Sequence, residues 1–183
     1  GTQKNGLSAF FHNCNRGKRS LAIDLKTQIG RDAVKRLAAD SDVLLHNYRP
    51  GVMDKLSLGS ETLRASNERL IYLGVSGFGT TGPMSDYPAY DMVIQGLTGI
   101  TALQGSDNEM QHINMLVCDK ITAYTVAQAT TAALLARAST GKGQHIDISM
   151  LQANLAFMWP DGMMDKTIED RDGIVDMSPI SDY

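Results

Sequence analysis

The spacing of hydrophobic residues in the first part of the chain predicts strands that alternate with helices. Hydrophobic side chains at every second position predict a strand over residues 19–25, at Leu21, Ile23 and Leu25. Thr27 is an expected N-cap for a helix with one hydrophobic face, formed by Ile29, Ala33, Val34 and Leu37. The apolar runs 42–46 and 69–75 predict buried strands, with helical segments at 52–56 and from 60 onward between them. This order predicts an α/β fold with a parallel sheet and crossover helices.

Three glycines follow the predicted strand over 69–75. Gly77, Gly79 and Gly82 match the G-x-G-x-x-G spacing of dinucleotide-binding loops. That motif requires a helix to begin at its glycines, but Pro83 and Pro88 follow instead. The spacing therefore predicts an irregular loop over a site and disfavours a nicotinamide or flavin role.

The second part of the chain predicts mainly helices. Helices are expected over 90–100 and 120–138, separated by a polar loop over 101–114. The helix over 120–138 has almost no polar face, so we expect it to be buried within the subunit or against a second one. A strand over 144–149 and a helix over 150–159, ending at Pro160, follow. Residues 1–160 are therefore expected to form one domain segment, and the polar residues 161–183 a linker-like tail.

Composition narrows the range of functions. The chain has 183 residues, 43% of them hydrophobic and 20% charged, which is typical of a globular domain. A formal net charge of −3 with no long basic run disfavours a nucleic-acid partner. No apolar run reaches the about 18 residues of a membrane span, and the N-terminal residues do not resemble a signal peptide, so a cytoplasmic protein is expected. The spacing of two cysteines and four histidines predicts neither a disulfide framework nor a metal site.

One acid lies between an apolar run and the long predicted helix. Asp119 in "MLVCDKITAY" precedes that helix, where its carboxylate could cap the first-turn N–H groups. The same position could keep the carboxylate ionised at neutral pH, so that it acts as a nucleophile. Spacing alone does not choose between a structural cap and a catalytic group.

Six blocks of sequence carry a resemblance to a known family. In order along the chain they are "NCNRGKRSLAIDLKT", "DVLLHNYRPGVMDKLSLG", "LIYLGVSGFGTTGP", "YDMVIQGLTGI", "VCDKITA" and "ARASTGKGQHIDISM". In order and spacing these blocks resemble the family III CoA-transferases, also called the CaiB/BaiF family. The resemblance implies a Rossmann-like sheet and an interlocked homodimer. It also implies transfer of coenzyme A between carboxylic acids, with the coenzyme as substrate and no tightly bound cofactor.

The resemblance also assigns roles to residues of this chain. The family's nucleophilic aspartate aligns with Asp119, which would form an aspartyl-CoA intermediate. The family's coenzyme A contacts fall on Ile23, Lys26, Asn47, Tyr48, Lys55, Leu56, Ser76 and Gly77. Lys26 and Lys55 could neutralise phosphates and Tyr48 could stack on adenine, while the loop with Gly77 would move over the thioester.

Two departures from the family pattern leave alternatives open. Members of the family begin before this chain begins and continue after it ends, so a non-catalytic remnant that binds coenzyme A or associates with itself is one alternative. The other is an acyl-CoA racemase, because one branch of the family has a histidine base where this chain has Tyr90, next to Asp91. A phenol, with an ordinary pKa of about 10, is a poor base at neutral pH, which favours the transferase.

Overall fold

A computed structural model of the chain describes residues 2–106, 109–163, 167 and 172–173. The N-terminal part contains a short antiparallel hairpin, β1 (Gln3–Lys4) and β2 (Leu7–Ser8), followed by α1 (Ala9–Asn15) and α2 (Gln28–Ala39). Asn5 and Gly6 form the turn of this hairpin with φ values of 54° and 77°. Asn-Gly is the sequence that such two-residue turns favour, because both positions need positive φ.

The centre of the fold is a parallel sheet of three strands in the order β3–β4–β5. Its strands and the helices around them are, in chain order, β3 (Val43–His46), α3 (Val52–Lys55), α4 (Ser60–Ser66), β4 (Ile71–Ser76), α5 (Asp91–Thr98), α6 (Ile100–Gln104), α7 (Val117–Thr140), β5 (His145–Ser149) and α8 (Met150–Gly162). Each pair of neighbouring strands is joined through helices, as parallel strands require. The predicted α/β fold with a parallel sheet and flanking helices is confirmed.

Two hydrophobic clusters form the core. The first joins α2, α3 and α4 to β4, through Ala38, Met53, Leu58, Leu63, Leu70 and Tyr72. The second joins α5, α6, α7 and α8, through Ile94, Ile100, Cys118 and Met158. The Tyr72 hydroxyl donates a hydrogen bond to the Leu58 carbonyl at 3.2 Å, and burial raises the pKa of Tyr72 to about 12. The neutral phenol therefore satisfies a buried carbonyl of the first cluster.

The strand predicted over 19–25 is wrong. Those residues form no strand and pair with no described strand. The Asp24 carboxylate accepts a hydrogen bond from the Lys26 N–H at 2.9 Å, and the Asp24 carbonyl accepts one from the Thr27 hydroxyl at 2.8 Å. Alternation alone does not make a strand, because a strand needs a partner for its backbone groups and this segment turns back on itself.

Thr27 caps α2 as predicted, since its hydroxyl accepts a hydrogen bond from the Gly30 N–H at 3.1 Å. The predicted hydrophobic face of α2 is wrong in part. Ile29 is 81% exposed, whereas Gly30 and Ala38 are the buried positions of the helix. A Cβ at residue 30 would meet the Asp24 backbone, so the glycine lets the segment before α2 pack against it. Val34 also packs against the first core cluster, whereas Ile29 and Leu37 face out.

Three helix boundaries differ from the prediction. Residues 101–104, predicted as loop, belong to α6, and α7 begins at Val117 and not at residue 120. The third difference is that α8 continues through Pro160 to Gly162. A proline this close to a helix end removes a single backbone bond at a frayed terminus, so it does not stop the helix.

Burial of α7 within the subunit holds for one side only. Its buried residues are Cys118, Ile121, Thr122 and Ala133, while Tyr124 on the outer side is 79% exposed. Among the residues that the structure describes, no helix has both the length and the hydropathy to cross a lipid bilayer. The linker-like tail predicted over 161–183 lies for the most part outside the described residues, and it stays a prediction, as does the cytoplasmic location.

Candidate functional site

A large cavity opens where strands β3 and β4 end. It has a volume of about 810 Å³ and is lined by the loop after β3, the end of β4, residues 85–90 and the first turns of α7. Open α/β sheets bind ligands at the carboxyl ends of their strands, because the loops there diverge and leave a crevice. The position and size of the cavity are those of a small-molecule site.

Five of the predicted site residues line this cavity. They are Asn47, Tyr48, Ser76, Gly77 and Asp119. They come from three separate stretches of sequence, which the parallel register of β3 and β4 and the return of α7 bring together. The Ser76 hydroxyl accepts a hydrogen bond from the Gly79 N–H at 3.0 Å. This bond ties the loop that carries Gly77 and Gly79 to the end of β4.

The other four predicted coenzyme contacts do not line the cavity. Ile23 lies in the turn before α2, next to Gly30. The side chain of Leu56 packs against the first core cluster. Lys26 and Lys55 are exposed, one before α2 and the other at the end of α3. A role for these four residues in binding the coenzyme stays a prediction.

Asp119 lies in the first turn of α7 but does not cap it. The residue at the N-cap position is Leu116, which offers no side-chain hydrogen bond. The N–H of Asp119 donates to the Asp91 carboxylate oxygen Oδ2 at 2.9 Å. The capping hypothesis for Asp119 is therefore wrong, because Asp91, from another helix, supplies the acceptor. No described residue donates a hydrogen bond to the Asp119 carboxylate, which stays open to the cavity.

The pKa of the Asp119 carboxyl is raised above its ordinary value, first by partial burial and then by the neighbouring Asp91 carboxylate, while Lys120 opposes the shift. The hypothesis that the Asp119 carboxylate is ionised at neutral pH stays a prediction. Partial loss of water and a like charge both disfavour the ionised form. Asp119 holds its proton to a higher pH than an isolated aspartate does.

Asp91 and Gln95 form a buried polar pair beside Asp119 that the sequence analysis did not identify. They are 5% and 1% exposed. The Gln95 side-chain amide donates to Asp91 Oδ1 at 2.7 Å, and its carbonyl oxygen accepts from the Ile113 N–H at 2.9 Å. Their four-residue spacing on one helix was the available signal, since such residues share a face.

A second, smaller cavity of about 370 Å³ shares part of its wall with the first. The register of the sheet places His46, Gly74 and Asp147 side by side across its three strands, and His145 Nε2 lies 3.3 Å from Asp147 Oδ1. Burial lowers the pKa of His46, so its imidazole loses its proton more readily than a free one. The sequence analysis treated these histidines as isolated, because only strand register brings them together.

Position 77 has room for a glycine but not for a larger residue. A Cβ at this position would collide with the Cβ of Ala89, in the loop that forms the opposite wall of the cavity. We expect Gly77→Ala to lower the free energy of unfolding by about 1–3 kcal/mol, because the loop must move. The matched control is Gly96→Ala, at an open position in α5, which should raise stability by about 0.5–1 kcal/mol. Urea unfolding of both variants tests this, and equal effects would contradict the packing argument.

Comparison with known proteins identifies the family. The family model for CoA-transferase family III matches residues 1–176. The succinate–glutarate CoA-transferase of Agrobacterium fabrum is 37% identical over 156 residues, covering 85% of this chain and 39% of the relative. The alpha-methylacyl-CoA racemase of Homo sapiens is 39% identical over 149 residues, covering 79% of this chain and 39% of the relative.

A solved structure supports the same assignment. The crystal structure of a CAIB/BAIF family protein from Brucella suis superposes with a TM-score of 0.83 at 41% sequence identity. The match covers 88% of this chain and 44% of that one, so the chain spans less than half the length of the proteins it matches. The sequence match, the shared three-stranded parallel sheet and the flanking helices agree, and the chain belongs to CoA-transferase family III.

Proposed function

We propose that this chain carries the nucleophile and part of the coenzyme A site of an enzyme that transfers coenzyme A between carboxylic acids. One observation carries the proposal: the Asp119 carboxylate, which caps nothing, faces a cavity of about 810 Å³ that four predicted coenzyme contacts also line. A structural acid would be paired or turned to solvent. A nucleophile needs an open approach to its substrate, and this carboxylate has one.

The chemistry proceeds through Asp119 in two attacks. Its carboxylate oxygen attacks the thioester carbonyl, the C–S bond breaks, and the products are a mixed anhydride and the coenzyme A thiolate. The thiolate then attacks the aspartyl carbonyl of the anhydride, which releases the donor acid and leaves an aspartyl-CoA thioester. The acceptor carboxylate repeats these steps in reverse, so the thioester bond is exchanged without net hydrolysis. Water must be kept from both intermediates.

The cavity wall supplies groups that can bind coenzyme A during these reaction steps. Tyr48 presents an aromatic ring, which can stack on a base or pack along an alkyl chain. Asn47 and Ser76 offer amide and hydroxyl groups to the pantetheine amides. Lys26 and Lys55 lie outside the cavity, on exposed positions from which they could reach phosphates.

Isotope exchange tests the proposed function. The purified chain is incubated with an acyl-CoA and its own ¹⁴C-labelled free acid, and transfer of label into the thioester is expected. Absence of exchange, with coenzyme A still bound, would instead identify a binding remnant. Absence of both exchange and binding would contradict the proposal altogether.

A racemase is the second candidate, favoured by the 39% identity to a human racemase. That reaction needs a base that removes the proton next to the thioester carbonyl. Tyr90 lines the cavity near Asp119, where the resemblance places a histidine in racemases. Incubation of a 2-methylacyl-CoA in D₂O distinguishes the two: a transferase exchanges acids without deuterium uptake, whereas a racemase incorporates deuterium at the α-carbon.

We also propose that the chain forms a homodimer. Large hydrophobic side chains on the outer sides of α7 and α8 are exposed, including Tyr124, Leu135 and Phe157. Apolar patches of this kind mark interfaces, because leaving them in water is unfavourable. Light scattering at micromolar concentration should give twice the mass of one chain, and a stable monomer would contradict the dimer.

A further inference from the structure

The carboxylate of Asp91 lies between the N-terminal ends of two helices. Asp91 is the first residue of α5, and its Oδ2 accepts the N–H of Asp119, in the first turn of α7, at 2.9 Å. Both helix ends present unpaired N–H groups and a partial positive charge, which a carboxylate complements. The carboxylate that accepts a hydrogen bond from the first turn of α7 thus belongs to a residue 28 positions earlier in the chain.

Gln95 ties the same carboxylate to the segment that leads into α7. Its Nε2 donates to Asp91 Oδ1 at 2.7 Å and lies within hydrogen-bond distance of the carbonyls of Ile113 and Met115, at 3.2 and 3.3 Å. Its Oε1 accepts the Ile113 N–H at 2.9 Å. A side chain that is 1% exposed and holds three partners cannot turn without leaving buried polar groups unpaired. The segment 113–115, which leads into α7, is therefore anchored to α5 through Gln95.

We propose that Asp91 and Gln95 are a positioning pair that holds the first turn of α7, so that the Asp119 carboxylate points into the cavity. This inference rests on the proposed function and adds two residues to it. Asp91 acts through the backbone of residue 119 and contacts no reacting atom. Catalysis is sensitive to such placement, because a displacement of about 1 Å can cost about 100-fold in rate.

Asp91 has a second effect, because its negative charge lies beside the Asp119 carboxylate and bears on the pKa of that group. The charged and titratable groups around Asp119 are Asp91 from α5, Lys120 and Cys118 on α7, and His46, Arg49, Tyr48, Tyr87 and Tyr90 on the cavity wall. After partial burial, Asp91, which is the one carboxylate in this set, raises the pKa of Asp119. Removing its charge should therefore move the titration of Asp119 to lower pH.

Two substitutions separate the hydrogen bond from the charge. Asp91→Asn removes the charge and keeps one acceptor oxygen, which can serve the Asp119 N–H while the amide NH2 group then faces Gln95 Nε2. Asp91→Ala removes the charge and both acceptors. We expect kcat for exchange to fall about tenfold in the first variant and about 100-fold in the second, with KM changed less than threefold. The matched control is Asp32→Asn, which removes an acid of α2 that does not line the cavity. It should match the wild-type chain in both constants.

Carbon-13 NMR of the Asp119 carboxyl supplies a readout that needs no activity. Its titration midpoint should move to lower pH in Asp91→Asn and stay in place in Asp32→Asn. If Asp91→Ala does not fold, Asp91→Ser provides a neutral acceptor in its place and should behave like the Asn variant. An unmoved midpoint in Asp91→Asn, or a wild-type kcat in the variant without an acceptor, would overturn the positioning role.

The two proposals fail in different ways. A chain in which the Asp119 titration responds to Asp91 but no label is exchanged would support the positioning pair and contradict the transferase. Exchange that depends on Asp119 but not on Asp91 would support the transferase and contradict the pair.

Discussion

Asp119→Asn is expected to abolish coenzyme A exchange, with kcat lower by at least about 10³-fold, while the chain stays folded. An amide oxygen carries no negative charge and cannot form the acyl anhydride, so the first covalent step is lost. The backbone N–H of residue 119 keeps its hydrogen bond to Asp91, because the substitution changes only the side chain. Stability should therefore change by less than about 0.5 kcal/mol at this exposed position.

The direction of the pKa shift supports that expectation about stability. Because the pKa of Asp119 is raised in the folded chain, its favourable contribution is present at low pH and is lost as the pH rises through the folded pKa. Above the folded pKa this contribution is gone, so in that pH range the amide removes nothing that stabilises the fold. Exchange should follow the opposite course in wild type: it falls as the pH drops through the same pKa and the nucleophile is protonated.

Chemical trapping makes the test of Asp119 direct. Hydroxylamine added during turnover should convert the acylated aspartate into a hydroxamate, which peptide mass spectrometry locates at residue 119. The control Asp32→Asn, in α2, should retain both exchange and the hydroxamate. Full exchange by a folded Asp119→Asn chain, or a hydroxamate on a different residue, would exclude Asp119 as the nucleophile.

Ala123→Trp is expected to lower kcat/KM for exchange by at least about 100-fold by filling the cavity. Ala123 lies one turn after Asp119 on the same face of α7, and its methyl group forms part of the cavity wall. An indole at this position would occupy the space in which the thioester must lie. The residue is exposed to the cavity, so the larger side chain should be accommodated without unfolding.

The matched control for the blocked cavity is Ala127→Trp, one further turn along α7. Ala127 is also exposed but does not line the cavity. Both variants add the same indole to the same helix, so a difference between them reports the cavity alone. Calorimetric titration with coenzyme A should show binding to the control and none to Ala123→Trp. Equal binding by both would place the coenzyme elsewhere.

The position of the predicted elements was correct where a local pattern was sufficient. The parallel strands β3, β4 and β5 and the Thr27 cap of α2 follow from runs and spacings within a few residues. The strand predicted over 19–25 failed because strand formation depends on a partner, which no pattern within the segment can reveal. The turn at Asn5 and Gly6 was not predicted, although Asn-Gly is a clear local signal for a two-residue hairpin turn.

The features of the site also divide into those that a local sequence pattern predicts and those that depend on tertiary structure. The sequence by itself determined that Asp119 lies at the start of a long helix and that glycines follow β4, since both are local facts. Only the tertiary structure decided which acid caps α7, because the acceptor comes from Asp91 in a different helix. It also decided the direction of the Asp119 pKa shift, because burial and like charge depend on groups that folding brings close. The groups that folding brings next to Asp119, and not its position in α7, thus determine the pKa shift and the surroundings of its carboxylate.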